Sequence, residues 1–110
     1  MKLADLVGWN LNRIRLDAEM TQEELSHRCE IIHQGFISDL ENGKHNASIE
    51  TLVILANALD VTISEFYSLN RAPSNLTTGP LIVETRNHGT KVLDIDPKVY
   101  GLPKLTPNNG

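Results

Sequence analysis

The chain has 110 residues with 40% hydrophobic and 5% aromatic content, one cysteine and a net charge of -4. That length buries one small core built from Leu, Ile, Val and Ala, and a single cysteine excludes an intrachain disulfide. Excess negative charge argues against indiscriminate binding to polyanions, and "MKLADLVGWNLNRIR" holds no apolar run of signal-peptide or membrane-spanning length, so a cytoplasmic protein with no membrane partner is expected.

Charge is unevenly placed. Residues 1–70 carry five basic side chains against eleven acidic ones, a net -6, while residues 71–110 carry five against three, a net +2. Along the first stretch, Leu3, Leu6, Val7, Leu11, Ile14 and Ala18 recur at three- and four-residue steps, which predicts a helix over about residues 3–17. Thr21 with Glu24 three residues later forms a capping-box pattern, and Glu23 and Glu24 suit the positive end of a helix dipole. A second helix begins there and ends near Cys29, a small buried hydrophobe. A third fits from about His33 to Asn42, with Phe36, Ile37 and Leu40 inward and Gly43 as the left-handed residue that closes it.

Ser48 is placed to cap a fourth helix, "IETLVILANAL", whose Leu52, Leu55, Ala56 and Leu59 share one side, and Thr62 to cap a short fifth, "ISEFYSL". Composition then shifts. "NRAPSNLTTGP" reads as a linker over 70–80. The β-prone runs "LIVETR" and "KVLDID" flank "NHGT", in which His88-Gly89 is placed for a tight turn; they predict a β-hairpin over 81–96, followed by a flexible tail over 97–110. A lone hairpin is marginal in water, so it needs the helices, a second subunit or a partner to order it.

Two helices joined by a short turn and followed by "ISDLENG" resemble the helix-turn-helix of the Cro/C1-type repressor family, also called the XRE family. The elements that carry the resemblance are "LNRIR", "MTQEEL", "FISDLENG", "ASIETLVILANALDV" and "ISEFY", in order over residues 7–67. The resemblance implies a mainly α fold: a five-helix domain over 1–69 with a C-terminal extension. It also implies a structural ion pair between Arg15, which closes the first helix, and Glu41 of the third.

For binding, the resemblance places Gln22 on backbone phosphate, through its side chain and the helix N-terminus, where it also braces a reading residue. Gln34 matches that reading residue, and its amide can make the paired hydrogen bonds that distinguish adenine in the major groove. His33 is placed to cap the third helix or reach a phosphate, and Gly35 and Ser38 complete its DNA-facing set. Lys44, His45 and Asn46 lie in the loop where the family grips the backbone. Three positions depart from the pattern: Glu30-Ile31-Ile32 replace the glycine expected in a turn one residue longer than usual, Gly35 stands where a reading side chain is usual, and Asp39 where the family often carries Lys or Arg.

These features imply a sequence-specific transcriptional regulator, a repressor or autoregulator that reads a near-palindromic site on double-stranded DNA as a homodimer. The departures and the acidic half motivate a second reading, a protein-binding anti-activator or antitoxin, with Ile32, Asp39, Val83, Leu93 and Ile95 as candidate contacts to an activator or toxin. An enzyme is the least favoured. His27, His33, His45 and His88 form no paired ligand motif and no nucleophile–base arrangement is visible, so no metal or cofactor is expected.

Overall fold

Four α-helices make up the first half of the chain: α1 (Leu3–Asp17), α2 (Gln22–Cys29), α3 (Gln34–Glu41) and α4 (Ile49–Leu59). They are seen in a computed structural model that describes residues 1–85, 89–95 and 99. The helix starts follow from local chemistry. At α2 the Thr21 hydroxyl accepts from the Glu24 N–H at 3.0 Å and the Glu24 carboxylate accepts from the Thr21 N–H at 3.0 Å, a complete capping box. At α4 the Ser48 hydroxyl accepts from the Thr51 N–H at 3.1 Å. At α3 the N-cap residue is His33, but its side chain makes no capping bond, so of its two expected roles capping falls away.

Val7, Leu11 and Ile14 of α1 meet Leu25 and Cys29 of α2, Ile37 and Leu40 of α3, and Leu52, Leu55, Ala56 and Leu59 of α4 in one core. Burial of each Leu or Ile stabilises the fold by about 1.5–3 kcal/mol relative to its exposed state. Ala18, grouped with this face by its spacing, is instead the exposed C-cap of α1. The chain has already left the helical path there, so helical periodicity no longer sets its direction.

The expected fifth α-helix is a 3-10 helix, Ile63–Tyr67. Thr62 does not cap it, and the Glu65 N–H bonds back only three residues to the Thr62 carbonyl. Its far end is held from α1. Fully buried Asn10 donates through Nδ2 to the carbonyls of Phe66 at 3.0 Å and Ser68 at 2.9 Å, while Phe66 itself is fully buried in the core. Carbonyls committed to Asn10 are unavailable to an advancing α-helix, which explains the short tight form.

Residues 70–80 contain one 3-10 turn, Ser74–Leu76. Strands β1 (Leu81–Thr85) and β2 (Gly89–Leu93) then pair antiparallel, from Leu81 opposite Leu93 to Thr85 opposite Gly89. The tight turn expected at His88-Gly89 falls in part outside the described residues, as does the expected tail apart from Val99. The hairpin leans on the start of α1: the Ile82 N–H donates to the Met1 carbonyl at 2.8 Å, and Lys2 Nζ pairs with Glu84 Oε1 at 2.6 Å. Among the described residues, no helix is long and apolar enough to cross a membrane.

Candidate nucleic-acid interface

The position of α3 is fixed from α1. Arg15 grips Glu41 with two parallel bonds, Nε to Oε2 at 2.7 Å and Nη2 to Oε1 at 2.9 Å, and its Nη1 donates to the Met20 carbonyl at 2.7 Å. Glu41 Oε1 also accepts from Asn12 Nδ2 at 2.9 Å and Gln22 Nε2 at 3.1 Å. Burial pushes the Glu41 carboxyl up, but the hydrogen bonds from Arg15, Asn12 and Gln22, with the Arg15 charge, outweigh it and hold the group below its ordinary value. The same pairing raises Arg15. Close approach completes the lock: a Cβ on Gly8 would collide with the carbonyl oxygens of Leu40 and Glu41. Gly43, with φ of +70°, ends the segment against Asp5.

With one side of α3 held in this way, its outer side is free. Gln34 and Gly35 are exposed and Ser38, one turn after Gln34, is half-buried. No atom comes within 4 Å of where a Gly35 Cβ would stand, so the residue leaves a gap on this face. Gln22 sits at the first position of α2, where its amide is spent on Glu41; in the free protein it braces the Arg15 pair and not Gln34. Asp39 is matched by the loop that follows. Its Oδ1 lies 3.8 Å from Lys44 Nζ and its Oδ2 3.5 Å from His45 Nε2, and the His45 ring stacks on Phe36 with centroids 5.9 Å apart. Asn46 is exposed beside them.

The sequence profile of the Helix-turn-helix family matches residues 11–66. The chain belongs to this family, in its Cro/C1-type branch. A helix-turn-helix regulator of Sinorhizobium fredii, the uncharacterized y4dJ, is 40% identical over 62 residues, which cover 56% of this chain and 79% of the relative. Control protein C.BamHI of Bacillus amyloliquefaciens is 37% identical over 57 residues, covering 51% of this chain and 69% of that one. Among solved structures, the restriction-modification controller protein C.Esp1396I, a tetramer in complex with its natural 35 base-pair operator, superposes with a TM-score of 0.54 at 29% identity over 59% of this chain and 84% of that one.

Within this helix-turn-helix, α2 and α3 are joined by an unusual turn. Glu30 takes φ 61° and ψ -51°, and the Ile31 N–H reaches the Cys29 carbonyl at 2.6 Å, a γ-turn of the rare hand. The reversal sends Ile31 outward, 72% exposed, and returns Ile32 to the core at 7%, where Ser26 Oγ holds its carbonyl at 2.6 Å. The exposed isoleucine of the turn is therefore Ile31, while Ile32, expected among the candidate partner contacts, is buried. On the hairpin, Leu93 is exposed while Val83 and Ile95 are half-buried. Sequence reasoning missed Asn12 and Phe36 as supports of the site; Asn12, one turn before Arg15 on α1, carried a usable signal in that spacing.

Proposed function

We propose that the chain is a sequence-specific DNA-binding transcriptional regulator, a repressor or autoregulator that reads a near-palindromic operator as a dimer. One observation carries this: the Arg15–Glu41 lock holds α3 by its inner side and leaves Gln34, Gly35 and Ser38 outward, on the helix that the family lays in the major groove. Gln34 is the reader, Gln22 and the α2 N-terminus position the backbone, and Lys44, His45 and Asn46 grip phosphates after α3. A control protein among the relatives, and an operator complex of one structural neighbour, support the reading. Titration of the protein with its own upstream DNA tests it. Saturable, sequence-selective binding is expected, and Gln34→Ala should remove the selectivity with the helical fold intact; binding that is indifferent to sequence before and after the substitution would count against it.

Exposed Ile31 favours one other reading, an anti-activator or antitoxin that holds a protein partner at the turn between α2 and α3. In that case Ile31→Asp would abolish a stoichiometric complex and leave DNA binding unchanged.

A further inference from the structure

Beyond the helix-turn-helix match, strand β1 stands against the loop that follows α3. A cleft of about 240 Å3 lies between them, lined by Lys2, Lys44, His45 and Asn46 on one side and by strand residues that include Ile82 and Glu84 on the other. The side chains here that can carry positive charge all face carboxylates of the same chain. Lys2 Nζ lies 2.6 Å from Glu84 Oε1, and Lys44 and His45 lie 3.8 and 3.5 Å from Asp39. These pairs are wet, with side chains between 36 and 64% exposed, so they are weak and open to exchange with another anion.

We propose that this cleft is a subsite for a DNA backbone phosphate, which adds Lys2 to the interface and in which Glu84 holds the phosphate's place in the free protein. The proposal rests on the DNA-binding reading above, because the loop 44–46 is the element that brings a phosphate to the cleft. The cleft also opens on Leu3 and Ala4, in the first turn of the 15-residue α1, where the helix dipole favours an anion. Asn46 offers a neutral donor beside two cations, a mix suited to a phosphate's several oxygens. The hydrogen bond and charge of Glu84 raise the Lys2 ammonium above its ordinary value, and a lysine is a cation at neutral pH with or without that partner, so exchange delivers a full cation to the backbone. Glu84 then faces the phosphate without a partner and opposes binding. The hairpin thereby sets how tightly the helices hold DNA while taking no part in reading sequence.

The test is fluorescence anisotropy of the intact chain on two duplexes of equal length, its own upstream region and an unrelated sequence, across a salt series. Lys2→Gln is expected to weaken both duplexes alike by roughly two- to fivefold and to flatten the log–log salt slope by about 2, one phosphate for each subunit of the dimer, and Lys2→Arg to restore both. Glu84→Gln should tighten both by up to roughly fivefold, and most of that gain should vanish when Lys2→Gln is also present. A gain from Glu84→Gln that is undiminished without Lys2, a salt slope unchanged by Lys2→Gln, or no binding to either duplex at low salt would each overturn the subsite. Equal affinity for the two duplexes, with the Lys2 and Glu84 effects present on both, would instead defeat the operator reading and leave the subsite standing.

Discussion

Glu41 decides where the reading helix sits, and its energetics make that role measurable. Its side chain is 5% exposed, and Arg15→Ala would leave the carboxylate buried with only the amides of Asn12 and Gln22. A cost of about 3–5 kcal/mol is expected, read as a lower urea midpoint at unchanged slope. The pH dependence follows from the depressed Glu41 value. Such a group contributes stability that is fully present above its unfolded value and is lost as pH falls through its folded value. Stability from this pair is therefore whole at neutral pH and fades below the ordinary carboxylate value of 4.5, and Glu24, held down by the Thr21 N–H, fades in the same direction. Thermal melts into the acid range should show a flatter decline for Glu41→Gln than for the parent chain. Glu30 is the opposite kind of residue. Its positive φ carries steric strain that glycine lacks, so Glu30→Gly should raise stability by about 1 kcal/mol, seen as a higher urea midpoint.

At the scale of elements, sequence legibility divides by the range of the deciding interaction. The bounds of α1, α2 and α4 could be read because caps and apolar spacing are local: Thr21 with Glu24, and Ser48 three residues before Thr51, announce themselves within one turn. The last helix could not, because its form depends on Asn10, more than fifty residues away. The same limit applies to the site. Gln34 follows from its place at the start of α3, whereas the commitment of Gln22 to Glu41 and of Asp39 to Lys44 and His45 exists only once the helices have packed. Which of Ile31 and Ile32 turns inward rests on the Glu30 backbone, which no periodicity encodes. Asn10→Leu tests the long-range anchor. It keeps the volume but leaves the Phe66 and Ser68 carbonyls without their donor, and the expected loss is about 1–3 kcal/mol, a melting temperature lower by several degrees.

For the whole molecule the decisive quantity is charge. The helical half carries a net -6, yet its interface must meet a polyanion, and several of its carboxylates, with Glu84 of the hairpin, are matched by partners within the chain. Glu41 is buried under Arg15, Glu24 closes a capping box, and Asp39 and Glu84 sit against Lys44, His45 and Lys2. Few cations are left to displace counterions. With Lys2 and Lys44 as the lysines of each subunit's grip, a dimer releases counterions from about four phosphates, and the log–log slope of affinity against salt should be about -4, well short of proteins that neutralise six to ten. Titration of the upstream duplex between low and physiological salt measures it. A much steeper slope would place further basic side chains on the DNA, and the excess of positive charge in residues 71–110 identifies where to look for them. At the expected slope, phosphate contacts contribute less to affinity than in those proteins, and the discrimination between operator and other DNA falls to the short exposed face of α3.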